Sequence, residues 1–229
     1  MTPPLTLALD ASTYAGTAAL IGGLTVLGEA EVAMRTAGRE ALLPAVAELM
    51  RTAGHGMTDV GRIVCGSGPG SFTSLRIAAS IAKALAFRSA TGGTAHIPFY
   101  GVSSLTLIVA GNDVACQPGR YVAVLDALRG DVYAAVLEVD EHLEIAEIEG
   151  TSVRRRDSIE SLAARHGARI VGPDQALRLS PHARGVARLG ATLQAATPAD
   201  LAAWEPDYGR PAAAQQRWEE SHGRTLSGA

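Results

Sequence analysis

Leu5-Thr6-Leu7-Ala8-Leu9-Asp10-Ala11-Ser12-Thr13, followed by Thr17-Ala18-Ala19-Leu20-Ile21-Gly22-Gly23, decides the architecture of this 229-residue chain. Apolar residues alternate from Leu5 to Leu9 and a polar loop opens at Asp10. The chain then returns from Thr17 to Ile21 before the Gly22-Gly23 turn, and Thr25 to Ala33 reads as a third strand. The theme returns at Tyr121 to Leu125, Asp126, a turn at Arg129-Gly130-Asp131 and Val132 to Val139. Two hairpins whose first strand ends in Asp, each heading a half of the chain, predict two related α/β lobes. The expected division is 1–105 and 106–229, with the boundary within about residues 103–118 and a frayed polar tail from Arg217.

Between the two hairpins the periodicity changes. Leu42, Leu43, Val46, Leu49 and Met50 recur at helical steps, predicting a helix over 39–53 with Pro44 in its first turn and Gly54 or Gly56 at its end. Arg62 to Cys65 reads as a short strand. Gly68-Pro69-Gly70-Ser71-Phe72-Thr73 then turns the chain into a helix reaching Ser89, and a strand follows within 95–102. Ser103 and Ser104 open a helix through Ala110, further helices are predicted over 158–166 and 184–195, and Ile170-Val171-Gly172 lies between them as a strand.

Composition narrows the function. Apolar residues make up 47% of the chain, enough for a real core, and 20 basic against 23 acidic residues leave a net charge of −3. That balance gives no bulk attraction for a polyanion, so an RNA partner would need another protein's grip. Lys83 is the single lysine among those basic residues, a bias that looks like genomic base composition. Cys65 and Cys116 form neither a disulfide framework nor a zinc spacing. No leader or membrane span is expected, and the chain reads as cytoplasmic.

Three segments bear on chemistry. Asp10, Ser12 and Thr13 offer a carboxylate, two hydroxyls and backbone amides, either for nucleotide phosphates and a metal or for bonds within a plain hairpin. The 68–73 segment sets glycines and hydroxyls at a helix start, where an anion or a tight capped turn would fit; it lacks the Gly-Lys-Ser/Thr ending of a P-loop. The helix that follows is apolar nearly all round, with Leu75, Ile77, Ala78, Ala79, Ile81, Ala82, Ala84, Leu85 and Ala86 broken only by Arg76, Ser80, Lys83 and Arg88. Such a helix lies deep in the core or meets another protein. His55, His96, His142, His166, His182 and His222 show no paired spacing for a metal, and no Gly-x-Ser-x-Gly elbow occurs, so no catalytic residue or metal ligand is assigned. Arg154-Arg155-Arg156 reads as a solvated loop.

Gly68-Pro-Gly-Ser-Phe-Thr-Ser-Leu-Arg76 closely resembles the Gly-Pro-Gly-Ser-Phe-Thr-Gly-Leu/Val-Arg signature of the TsaB/YeaZ family. Leu7 to Thr13, Gly101 to Leu105, Asp126 to Tyr133 and Pro206-Asp-Tyr-Gly-Arg210 resemble further motifs of that family in the same order, so the likeness covers about residues 5–220. It implies the ASKHA fold of actin and Hsp70, two RNase H-like lobes with mixed sheets. It also implies a non-catalytic partner of TsaD, the metal-binding relative that transfers threonylcarbamoyl to the adenosine beside the tRNA anticodon, with the ATPase TsaE joining the pair. The implied partner surface, also a homodimer surface when the chain is alone, comprises Leu42, Leu43, Val46, Leu49, Met50, Leu75, Ala78, Ala79, Ala82 and Leu85. Asp10, Ser12, Thr13, Gly68, Gly70, Ser71 and Asp126 are the implied nucleotide-facing residues, with ATP or ADP and magnesium at a surface shared with the partner and none held tightly by this chain. By the same likeness tRNA is reached through the complex. Two departures stand out: Gly38-Arg39-Glu40-Ala41 replaces the family's His-Ser/Thr ahead of Leu42-Leu43-Pro44, and Ser74 replaces a Gly. The alternative is an ATP-dependent phosphotransferase of the same fold, although such kinases run to about twice this length.

Overall fold

The computed structural model describes residues 3–34, 40–87 and 96–209. Strands β1 (Leu5–Asp10), β2 (Ala15–Gly22) and β3 (Thr25–Ala33) form an antiparallel meander, and β4 (Val60–Gly66) and β5 (Phe99–Val102) add in parallel on the far side of β1. The first sheet therefore has the order β3-β2-β1-β4-β5. The second sheet repeats it. Strands β6 (Gly119–Asp126), β7 (Asp131–Val139) and β8 (Ile145–Arg155) form its meander, with β9 (Arg169–Gly172) and β10 (Leu177–Arg178) parallel to β6, giving β10-β9-β6-β7-β8. The two Asp-ended hairpins are thus equivalent parts of two lobes, as the sequence predicts.

Helix α1 (Leu42–Thr52) joins β3 to β4, and α4 (Ile159–His166) joins β8 to β9 in the same position. Helix α2 (Phe72–Ala86) joins β4 to β5, whereas only a short turn joins β9 to β10. The residues stack in five layers. Helices α1 and α2 cover one face of the first sheet through Val46, Leu49, Ala78 and Ala82 against Leu7, Leu9 and Leu20. On its other face, Ala8, Ala19, Ile21 and Val64 meet Leu107 and Ala110 of α3 (Ser104–Ala110) and a 3₁₀ segment, Ala183–Leu189. The opposite side of α3 sends Leu105, Ile108 and Val109 into the second sheet, whose outer face is covered by α4. A seven-residue helix buried on both sides needs apolar residues all round, which Leu105-Thr106-Leu107-Ile108-Val109-Ala110 supplies.

After the 3₁₀ segment and α5 (Gly190–Ala195) the chain returns along the first lobe: Ala199 N–H donates to the Phe99 carbonyl at 2.8 Å, and the Trp204 ring packs edge-on against Phe99 with centroids 4.7 Å apart. Residues 183–209 therefore pack on the first sheet although they follow the second in sequence.

Several local expectations change. The helix expected over 184–195 is a 3₁₀ segment followed by one short α-helix; Gly185 lies where a side chain would strike Gly111 and Ala110, so the segment packs directly on the end of α3. The long strand β8 is not visible in the apolar pattern, since it is an edge strand whose side chains are mostly half-buried or exposed. Arg154-Arg155-Arg156 is accordingly not a loop: the first two end β8 and Arg156 opens a 3₁₀ turn (Arg156–Ser158). Arg154 pairs with Glu149 at 2.6 Å and Arg156 with Asp126 at 2.7 Å. Helix α1 starts at Leu42, where the Glu40 carboxylate accepts from the Leu42 and Leu43 amides; Gly38, Arg39, Ser89, Arg210 and the tail from Arg217 lie outside the described residues. Phe99, 1% exposed between α2 and Trp204, anchors this lobe. Phe99→Ala is expected to lower unfolding free energy by about 3–5 kcal/mol in urea titration, against about 0.5 kcal/mol or less for an exposed residue such as Leu24.

Candidate functional site

The two loops singled out by sequence come together at the carboxyl ends of β1 and β4, and the structure fills the space between them with protein. Asp10 is 1% exposed. Its carboxylate accepts from the Ser12 amide at 3.0 Å and the Ser12 hydroxyl at 2.8 Å, and its second oxygen accepts from the Ser104 hydroxyl at 2.5 Å. Ser104 opens α3, and its oxygen also accepts from the Gly68 amide at 3.1 Å while its own amide donates to the Gly68 carbonyl at 2.8 Å. Asp10, Ser104 and Gly68 thus form one buried node joining β1, the glycine loop and the central helix. Here the Asp10 carboxylate is engaged internally, with partners reached in three dimensions as well as locally.

The glycines serve close approach. A Cβ on Gly70 would strike the Ser12 carbonyl, and one on Gly66 the Asp10 carboxylate. Gly68, at φ +89°, occupies backbone space that side chains rarely adopt, and a Cβ there would strike the Asp207 carbonyl. The Ser71 amide donates to the Ser12 carbonyl at 2.7 Å, so the loop is tied to the hairpin it faces. From outside, the 204–209 strap closes it. Asp207 N–H donates to the Ser67 carbonyl at 2.7 Å, the Tyr208 ring lies 4.5 Å from Phe72, and Tyr133 of the second lobe donates to the Tyr208 carbonyl at 3.1 Å. Thr13 turns to its neighbour Ala15, and Asp126 is exposed in the other lobe, engaged by Arg156. Among the described residues no group of His, Cys, Asp and Glu is arranged to hold a metal ion.

Electrostatics agree with a sealed node. Burial pushes the Asp10 carboxyl above its ordinary value, against the hydrogen bonds from Ser104 and Ser12 that pull it down. Burial also raises the Cys65 thiol, with the Asp10 charge adding to it, so Cys65 is an inert thiol. His182 is lowered by burial first and then by Arg184.

The implied partner surface divides by burial. Leu42, Val46, Leu49, Met50, Leu75, Ala78, Ala79 and Ala82 point into the lobe's own core, and Leu85 is half-buried. A residue at 0% exposure, such as Leu42, Leu75, Ala78 or Ala82, has no surface to offer, so these positions line the lobe's interior. Leu43, at 44% exposure, is the member that faces outward, beside Pro44 and Ala47 on α1; the outward residues of α2 are Phe72, Thr73, Arg76, Ser80 and Ala84, with Phe87 exposed just past its end. Helical spacing alone identifies a helix's apolar stripe, and the sheet beneath claims that stripe. Ser104, Trp204 and Asp207 carry the node and its strap. Ser104 is legible in sequence only as a second serine at a helix start, and the other two only by the resemblance around Pro206.

With this geometry in view, a family model for TsaD, described as tRNA N6-adenosine threonylcarbamoyltransferase, matches residues 31–202, which takes in most of both lobes. The chain belongs to the TsaD family. Within it, the TsaB/YeaZ resemblance of the 68–76 signature is borne out. The chain is 35% identical over 136 residues to the Escherichia coli K12 protein named tRNA threonylcarbamoyladenosine biosynthesis protein TsaB, covering 59% of this chain and 56% of that one. It is 28% identical over 235 residues to the Bacillus subtilis protein of the same name, covering 94% and 98%. The match thus spans about half the length of the Escherichia coli relative and nearly all of the Bacillus one. YeaZ from Pseudomonas aeruginosa superposes with a TM-score of 0.72 at 24% identity, over 90% of this chain and all of that one, and so shares the fold. The doubled sheet topology is that of an ASKHA two-lobe protein.

Because the folded-state value of Asp10 is raised, its contribution to stability is fully present below the ordinary carboxylate pKa of about 3.9 and is lost as pH rises through the raised value. Asp10→Asn keeps the shape without the charge. Its unfolding free energy relative to wild type is expected to improve as pH rises from about 4 through the raised value and then to level off, at no more than about 1.4 kcal/mol per pH unit. A gap that does not move with pH contradicts a buried, strained carboxylate.

Proposed function

We propose that this chain is a non-catalytic partner of a TsaD homologue, holding it in a working arrangement for threonylcarbamoyl transfer to tRNA, with a TsaE homologue recruited to the pair. The single observation that carries the reading is that the signature shared with TsaB and YeaZ is engaged within the chain itself while the helices beside it keep an outward face. The loop that would cradle phosphates is closed by Ser12 and Asp207, and Asp10 is consumed by Ser12 and Ser104. This weighs against a phosphotransferase of the same fold, which needs that carboxylate open to a metal.

Support for a protein partner comes from the α1–α2 layer. Leu43, Phe72 and Phe87 remain exposed there, at 44%, 36% and 63%, beside small residues that let another helix approach closely. The same face serves a homodimer when the chain is alone. The acidic net charge fits a role in which tRNA is gripped mainly by the partner.

Light scattering on a sizing column, with the TsaD homologue from the same organism, tests the reading. Wild type is expected to give a one-to-one complex. Leu43→Asp and Ala84→Asp, both at exposed positions and hence folded, should weaken pairing by at least about 30-fold, the loss of an interface hot spot of about 2 kcal/mol. Full pairing by both variants removes the outward helix face from the interface, and no co-elution of wild type removes the partner role.

A further inference from the structure

A cavity of about 560 Å³ lies between the lobes, bordering the Asp10 node at Ser67 and Ser103, and the function proposed above does not draw on it. Its floor is the β5 edge and the start of α3, from Tyr100 to Ser103 and Thr106; one wall is the inner face of β7 and β8, the other is α5, and Trp204 stands at the rim. The volume falls in the range of sites for small organic molecules, and its lining mixes aliphatic and aromatic surface with a few hydroxyls, the composition such sites have.

Among the described residues, the single charged side chain lining it is Glu147. Across the β7–β8 ladder Glu147 pairs with Leu137, and Ile145, two residues before it, pairs with Val139. Leu137 and Val139 belong to the core under α3, so the register places Glu147 in a row that is otherwise apolar. No ion pair is formed by Glu147 among the described residues, although other carboxylates on β8 and its neighbours have theirs, such as Glu149 with Arg154 and Glu138 with Arg120. A carboxylate at a core-side register, beside a cavity whose lining among the described residues holds aromatic side chains and no basic residue, is a recognition element for a cation; Arg62, over the Tyr100 ring, and Lys83, on the Trp204 carbonyl, are not part of that lining.

We infer that this inter-lobe cavity binds a small organic amine, its ammonium on Glu147 and its apolar body among Tyr100, Leu193 and Trp204. The bound molecule touches β5 and α3 on one side and β7 and β8 on the other, so it would bridge the two lobes.

The test uses the full chain and two probes of matched size, phenethylamine and 3-phenylpropionate, followed by ¹H–¹⁵N spectra with the Trp204 indole N–H assigned by Trp204→Phe. Phenethylamine should shift that resonance saturably, 3-phenylpropionate should not, and Glu147→Gln should weaken the amine about tenfold or more without altering the spectrum of the free protein elsewhere. Glu147 is exposed, so the variant is expected to fold. An inward charge that served only to keep the β8 edge from pairing with other chains would leave amine affinity equal in wild type and Glu147→Gln, and that result overturns the inference. Equal binding of the amine and the carboxylate overturns it as well.

Discussion

The Asp10–Ser104–Gly68 node is the contact on which the rest of the molecule depends. A buried carboxylate without partners would be a heavy burden on the fold; here its oxygens are met by two donors from Ser12 and one from Ser104. Because Ser104 is also the first residue of α3 and is clasped by Gly68 at both its amide and its hydroxyl, the node fixes where the central helix begins. Helix α3 then decides how the two sheets face each other, since Leu107 and Ala110 pack on one and Leu105, Ile108 and Val109 on the other.

This arrangement gives the Gly-Pro-Gly-Ser-Phe-Thr segment a structural role within the chain. Glycine is needed where the loop presses on the Ser12 carbonyl and where Asp207 crosses it, and the following helix is thereby held at one angle over β4 and β1. The inner stripe of α2 belongs to the core of its own lobe. Its outer stripe, with Arg76, Ser80 and Ala84, stays exposed together with Phe87 just past its end, so a rigid loop and a presented helix are two consequences of one packing solution.

Much of the fold is legible in the sequence because period and punctuation agree there. The Asp-ended hairpins, the glycine after α1, α3 and α4, the alternation of β1 and the apolar runs of β2, β6 and β7 all point one way. Strand β8 escapes because its side chains are mostly exposed or half-buried and lack alternation, and the 3₁₀ form of 183–189 has no signal in the local pattern. For the site, residue types are readable but direction is not. Asp10 at a strand end has the same appearance whether it faces a metal or a serine 94 positions away, and Ala82 has the same appearance whether it faces a sheet or a partner. Long-range closure by Asp207 and Trp204 leaves no local pattern at all.

Calorimetric titration of magnesium-ATP into the isolated chain addresses the central claim most directly, because it asks whether the loops at β1 and β4 are joints or a phosphate site. The account predicts heats equal to those of dilution, since Ser12 and Ser104 engage the Asp10 carboxylate and Asp207 closes over the glycine loop. Saturable one-to-one binding that disappears in Asp10→Asn would contradict it.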